Sequence, residues 1–298
     1  MSGVRKAVTV HVPTVNDRLK DFDALFSLWQ FTNGDNLDVT FDFSQCHFLR
    51  QNAVAFLGGL ARLIKSRGGS ANFLFETLEP KVFDNLLEKG FPQAFGYISD
   101  QWKGNSIPYR EDKVERKDEL VAYLKGLWLG RGWVKVSELL ANEIAGTVWE
   151  IYANAFQHGK SPIGIISSGQ YYPKWRELHL TIVDFGVGIP SNVRSYLNHI
   201  NMPADKAIEW AMRDANTTKP RTAGPPGGIG LGLLKEFVKI NAGYLEIFSH
   251  DGYLYINKDR ETFLARETFF EGTLVTIKLK CDKRYYLLSS EVEKETKS

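Results

Sequence analysis

The chain has 298 residues, of which 43% are hydrophobic, 13% aromatic and 24% charged, with 37 basic against 35 acidic side chains and a net charge of +2. This composition excludes a disordered polymer, a collagen-like repeat and a coiled coil, and the length favours two domains over one. With the charges balanced and no local basic stripe, neither nucleic acid nor an anionic surface is an expected partner. No apolar run approaches the about 18 residues of a membrane span, and the first residues carry no signal-peptide pattern. Cys46 and Cys281 stand isolated. The expectation is a cytoplasmic protein with no membrane contact and no structural disulfide.

In chain order, residues 7–12 alternate as a strand, and residues 14–31 carry helical spacing through Leu19, Phe22, Leu25, Phe26 and Trp29. Asn33-Gly34 stops that helix, and Leu37 to Phe41 reads as a second strand. An apolar helix over 52–66, closed by Gly68-Gly69, precedes a strand at 72–75 and a helix from Pro80 to Lys89. This alternation predicts a small sheet with helices against it. Turn-rich 101–108 and charge-rich 109–119 read as a linker leading into a solvated helix. The domains are thus expected at 1–104 and 105–282, with a charged tail, 283–298, that frays or lies as a short surface helix.

The second half holds the residues with chemistry. Ser137 suits an N-cap, and Leu140, Ile144, Val148, Ile151 and Ala155 form an apolar helical stripe. On an adjacent face Glu143, Thr147, Glu150, Asn154 and His158 recur every three or four residues, so Glu150 and Asn154 project alike. Gly159 reads as the C′ glycine of that helix. A strand from Leu178 to Asp184 runs into Phe185-Gly186-Val187-Gly188, which sets a carboxylate beside backbone that a flat ligand can approach. Residues 215–228 lack any large apolar anchor and lead into Ile229-Gly230-Leu231-Gly232, the start of a helix through Ile240. Free N–H groups at such a start suit a polyphosphate. No Gly-Lys-Ser/Thr follows, so this is no P-loop, and no βαβ unit surrounds it, so it is no dinucleotide fingerprint. Strands at Tyr244 to Ser249, Tyr253 to Asn257 and Gly272 to Lys280 complete the pattern.

Four short motifs in this order, Glu150-x-x-x-Asn154-Ala155, Asp184-x-Gly186-x-Gly188, Gly228-x-Gly230-x-Gly232 and Gly272-Thr273, resemble the GHKL ATP-binding superfamily of gyrase B, MutL and the histidine kinases. The resemblance spans residues 110–281, and the stretch from Glu150 to Gly159 is most similar to the anti-sigma-factor serine kinases. It implies a Bergerat-type α/β sandwich, a mixed and mostly antiparallel sheet under a layer of helices, with ATP and Mg²⁺ as cofactors. It also implies that Asn154 holds Mg²⁺, that Glu150 orients or deprotonates the attacking water or hydroxyl, and that Asp184 accepts the adenine amino proton with Thr273 nearby. Gly186 and Gly188 would let backbone approach the nucleotide. The amides around Gly228, Gly230 and Gly232 would bind phosphate oxygens, with residues 215–227 as a lid that carries Lys219 and Arg221. His158 would brace the helix end or touch phosphate.

The segment Asp42-Phe-Ser44-Gln-Cys-His-Phe48-Leu49, followed by an apolar helix, resembles the STAS domain of anti-sigma-factor antagonists. Arg50-Gln51-Asn52-Ala53 stands where that family has Asp-Ser-Ser-Gly, so the phosphorylatable serine is missing. Two function classes follow. One is an ATPase or serine/threonine kinase acting on a regulatory protein partner of the STAS or sigma-factor-related type. The other is a non-catalytic ATP-gated interaction switch. Assembly as a homodimer is left open by both.

Overall fold

The computed structural model describes residues 5–98, 104–213 and 229–295. Its first part alternates β1 (Lys6–His11), α1 (Leu19–Phe31), β2 (Leu37–Asp42), α2 (Gln51–Ser66) and β3 (Ser70–Leu74), followed by α3 (Pro80–Glu88) and the single turn α4 (Phe91–Ala94). The three strands pair in parallel in the order β1-β2-β3, and each crossover is a helix, as parallel neighbours require. The elements are those the periodicity predicts. Helix α1 begins later than expected, at Leu19, because Val15 is held ahead of it in a bridge to Leu49.

The second part holds β4 (Ser106–Asp112), α5 (Lys117–Tyr123), β5 (Lys135–Val136), α6 (Glu138–Asn154), β6 (Ile165–Tyr172) and β7 (Glu177–Asp184). There follow α7 (Gly188–Leu197), α8 (Ala204–Ala211), α9 (Ile229–Ile240), β8 (Tyr244–Ser249), β9 (Gly252–Asn257) and β10 (Glu261–Ala265). The chain finishes with β11 (Thr273–Lys280), β12 (Tyr285–Tyr286) and α10 (Ser289–Glu295). Seven strands form one sheet in the order β10-β9-β8-β11-β7-β6-β4. The protein is thus of mixed α/β class with a large antiparallel sheet.

Three expectations change. The large sheet is not mixed: every neighbouring pair in it is antiparallel, because hairpins join β6 to β7 and β8 to β9 to β10. Residues 106–112 are not linker but the edge strand β4, whose register slips between Ile107 and Arg110 around Pro108. Proline, charge and a bulge are what an edge strand tolerates and what makes it read as a loop. The tail is anchored as well as helical. Tyr285–Tyr286 pairs with Lys135–Val136, and the Ser137 hydroxyl lies 2.6 Å from Glu291 Oε2.

Both faces of the large sheet are covered. Along β7 the alternation sends Leu178, Leu180, Ile182 and Asp184 to one face and His179, Thr181 and Val183 to the other. The first face packs with Ile144 and Val148 of α6 and Leu234 and Phe237 of α9. The second face packs on α1 and α2, whose far side meets Val39, Phe41 and Phe73 of the small sheet. Helix α2 is therefore enclosed between two sheets, and every residue from Gln51 to Ala61 is buried. An apolar sequence all round the helix is the counterpart of that position.

The approach of α2 is close enough to require its Gly58-Gly59 pair. A Cβ on Gly58 would lie 2.7 Å from Cζ of Tyr109, while one on Gly146, mid-way along α6, meets nothing within 4 Å. Helix propensity alone favours alanine over glycine at both by about 0.5–1 kcal/mol. Gly146→Ala should raise the melting temperature and Gly58→Ala should lower it; equal shifts in thermal unfolding would contradict the packing described.

Candidate functional site

One end of the first sheet face gathers the residues singled out in the sequence. The Ser137 N–H bonds the Tyr286 carbonyl, so α6 starts beside the strand end at Lys280, and its Oγ caps Leu140 N at 3.1 Å as expected. From there α6 runs to the opposite end of the sheet, where Gly159 lies against Asp184. Helix α9 runs the other way. Asn241, just past its end, donates from Nδ2 to the Lys280 carbonyl at 2.9 Å, so its start, roughly 18 Å distant along 12 residues, points to the Asp184 end. Thr273 pairs directly with Asp184 across β11 and β7. The last turn of α6, Asp184 with the loop after it, Thr273 and the first turn of α9 therefore share one corner.

Within α6, Thr147 is buried with its hydroxyl on the Glu143 carbonyl at 2.9 Å, Glu150 is half-buried, and Asn154 is exposed on the last turn. The helix continues as a π-type turn over Ala155–Gly159, a distortion found often at functional sites. Gly159 is not the left-handed terminator the sequence suggests, because Lys160 takes that conformation with φ 53°. Its lack of a side chain serves close packing. Val187 N donates to the Gly159 carbonyl at 2.7 Å, and a Cβ on Gly186 would overlap that same carbonyl. The His158 carbonyl accepts from Asn192 of α7 at 3.1 Å, which fixes the helix end to the following loop.

Asp184 is 4% exposed at the end of β7. Its Oδ1 accepts the Gly186 N–H at 2.9 Å, and the Thr273 hydroxyl also bonds the carboxylate. Among the described residues no cation pairs with it. Burial lifts its pKa from 3.8 to about 7, against the opposing pull of those two donors. An ionised carboxylate accepts about four hydrogen bonds, so this one keeps capacity for a further neutral N–H donor.

Gly188 has φ +73° and begins α7, and a Cβ there would sit 2.8 Å from Ser249 Oγ and 2.9 Å from the Gly272 carbonyl. Gly186 and Gly188 thus have an internal packing reason that holds without any ligand. Ser249 and His250 complete the corner and were not singled out by the sequence reading. Ser249 Oγ donates to the Gly272 carbonyl at 2.7 Å and accepts Ile189 N at 2.9 Å. His250 lies 2.9 Å through Nε2 from the Val187 carbonyl, which can only accept, so that nitrogen carries the proton. Their one sequence signal is the Asp251-Gly252 turn between two strands.

Gly230 and Gly232 lie in the first turn of α9. Gly228, Lys219, Arg221 and the expected lid at 215–227 lie outside the described residues. The segment that resembles the STAS motif is elsewhere, at the start of α2 and against the opposite sheet face. Arg50 there pairs with Asp17 at 3.0 Å and stacks over the rings of Tyr172 and Trp175 at 4.4 and 4.7 Å. Gln51 accepts the Tyr172 hydroxyl at 2.9 Å. The sheet separates this segment from Glu150.

No protein family searched has a pattern that matches the chain, and no curated protein searched is similar to it. Among the described residues no His, Cys, Asp or Glu cluster of metal-binding type occurs, and no helix is long and apolar enough to cross a membrane.

The Asp184 environment gives a pH test. The folded state holds this proton more tightly than the unfolded chain. Its stabilising contribution is fully present below about pH 4 and is lost as pH rises through about 7. At about 1.4 kcal/mol per pH unit, the interval from 3.8 to about 7 corresponds to at most roughly 4 kcal/mol. Denaturant unfolding should show Asp184→Asn gaining stability on the unchanged chain between about pH 4 and 8, up to that amount; a difference flat across the range contradicts a buried carboxylate without a cation.

Proposed function

We propose that the second part of the chain binds ATP with Mg²⁺ at the Asp184 corner and is an ATPase or a serine/threonine protein kinase of GHKL type, acting in the cytoplasm on a separate regulatory protein of STAS or sigma-factor-related kind. The observation that carries this reading is convergence. The described residues of four motifs, Glu150 with Asn154, Asp184 to Gly188, the α9 turn with Gly230 and Gly232, and Gly272-Thr273, are spread over more than a hundred residues of sequence and lie toward one end of one sheet face.

The donor set suits the ligand. The remaining acceptor capacity of Asp184 fits the adenine amino group, and among the described residues no cation stands beside it, which fits a neutral partner. Asn154, exposed on the last turn of α6, offers an amide oxygen for a hard cation shared with phosphates, which needs no carboxylate cluster. Bound there, Mg²⁺ would supply charge neutralisation for the transferring phosphoryl group. Glu150, one turn earlier on the same face, would hold the attacking hydroxyl or water and take its proton. The opening turn of α9, with Gly230 and Gly232, presents N–H groups toward that same end of the sheet.

The phosphoacceptor belongs to another molecule in this reading. The start of α2 is buried on the far face of the sheet, and Arg50-Gln51-Asn52-Ala53 stands where the STAS pattern has Asp-Ser-Ser-Gly, so neither serine is present. The second reading, an ATP-gated switch without turnover, is favoured by the direct contact between the N-terminal unit and the loop after Asp184, described below.

Binding and catalysis separate by mutation. Calorimetry should give Mg²⁺-dependent ATP binding and GTP weaker by about 10- to 100-fold, since a guanine carbonyl faces a buried acceptor. Glu150→Ala should keep ATP affinity and lose about 10²–10⁴-fold in turnover, whereas Asn154→Ala should lose the Mg²⁺ dependence of binding. Equal affinity for ATP and GTP rejects the adenine site. Unchanged turnover in Glu150→Ala rejects the enzyme and leaves the switch.

A further inference from the structure

We propose that Phe185 couples the candidate nucleotide site to the N-terminal unit, so that the seating of α2 on the sheet sets the loop 184–189 and occupancy of that loop is felt back in α2. The identity of the ligand rests on the nucleotide reading above, while the coupling between loop and helix does not.

Phe185 stands between the two residues that shape the corner. Asp184 projects to the site face, and the strand alternation turns the next side chain to the opposite face. There the Phe185 ring is 4% exposed, with the rings of Phe56 of α2 and Phe270 each 5.2 Å away between centroids. Beside the Phe56 ring, the contact with α2 is made on bare backbone at Gly59. A Cβ built on Gly59 would lie 2.9 Å from Cδ2 of Phe185, closer still to Cε2, and 3.3 Å from Cγ1 of Ile166. No flexible side chain cushions the helix against the ring, and a close-packed interior transmits such displacements. Asp184 and Gly186, one residue to either side, are joined by the 2.9 Å bond between carboxylate and amide. A shifted ring therefore moves the acceptor and the bond that orients it.

A second contact path reaches the same loop from α1. Gln30 of α1 donates to the Phe269 carbonyl at 3.2 Å, and the Phe269 ring lies 5.8 Å from that of Trp29. On its other side Phe269 is 4.8 Å from the His250 ring, whose Nε2 donates to Val187 inside the loop. Phe270, fully buried, precedes Gly272 by two residues, and the Gly272 carbonyl holds Ser249. Helix α2 thus touches the loop at Phe185, and α1 touches residues that lead to it through His250. Coupling free energy is reciprocal, so the loop reports on the helices and the helices on the loop.

The test uses the full chain and reads amide hydrogen exchange in two arms. In the first, without nucleotide, Gly59→Ala and Phe185→Leu are compared with the unchanged chain, with residues 276–280 of β11 as internal reference. Each variant should speed exchange over residues 184–189 by about tenfold or more relative to that reference, a local opening rather than a global one. Gly146→Ala, the same change at an open site, should leave the loop unaltered. Absence of a selective change in both variants, or an equal rise in every segment, overturns the coupling whether or not the chain binds a nucleotide.

In the second arm a non-hydrolysable ATP analogue with Mg²⁺ is added to the unchanged chain and to Phe185→Leu. The unchanged chain should gain protection over residues 53–61 of α2, and Phe185→Leu, with the analogue raised until its own calorimetric isotherm saturates, should lose that response. Protection of 184–189 with none in α2 overturns the coupling. Failure of the unchanged chain to bind the analogue in calorimetry refutes the nucleotide reading alone, and the first arm still decides the coupling.

Discussion

A seven-stranded antiparallel sheet that is buried on both faces has to be covered twice, and everything else in the molecule is arranged around that requirement. Antiparallel sheets usually keep one face wet. Here seven of the eight residues of β7 are buried, so neither face is. Helices α6 and α9 cover one side. The other side is closed by α1 and α2, which are themselves closed by the small parallel sheet. At the seam Phe22 stacks on Phe248 at 4.3 Å, Phe26 on Phe270 at 5.1 Å, and Phe56 lies 5.2 Å from Phe185. Without the N-terminal unit an apolar face of the sheet would lie open to water, an aggregation hazard. The two parts of the chain therefore share one interior, whatever each does alone.

That seam also carries polar groups, which cost free energy unless paired. Arg50 and Asn52 bind the two oxygens of Asp17, Gln51 meets Tyr172, and Thr181 meets Thr276 at 3.2 Å. Glu246 is buried too, its pKa pushed up to about 8 by burial while the Tyr253 hydroxyl donates to it at 2.8 Å. Directional bonds of this kind fix one seating of α2 where a purely apolar seam would permit several. The polar residues at the start of α2, Arg50, Gln51 and Asn52, are thus explained by docking: they serve a surface that is covered.

Much of this was legible in the sequence because period and punctuation are local. The strands β7, β8 and β11 and the helices α2 and α6 announce themselves by alternation or apolar spacing, and Ser137 by its capping position. Elements whose residues answer to a distant neighbour did not. β4 hides behind Pro108 and a run of charges suited to a bulged edge. β6 carries Ser167-Ser168-Gly169 where an apolar alternation would announce a strand, and a Cβ on Gly169 would lie 2.7 Å from the Ile107 side chain. At the site, the motif order identified Asp184 and Asn154 together. The spacing of Asp-Phe-Gly said nothing of Phe185, whose partner is a glycine more than a hundred residues earlier. Gly186 and Gly188 attracted notice as ligand contacts, yet each is required by backbone already in the fold.

The central claim is that the corner formed by Asp184, Thr273, Asn154 and the start of α9 receives a nucleotide. The most direct measurement is a crystal structure of the full chain grown with Mg²⁺ and a non-hydrolysable ATP analogue. The account predicts the adenine amino nitrogen within hydrogen-bond distance of a carboxylate oxygen of Asp184, with Asn154 on the metal and the phosphates at the first turn of α9. An analogue bound elsewhere, or an adenine turned away from Asp184, would contradict it.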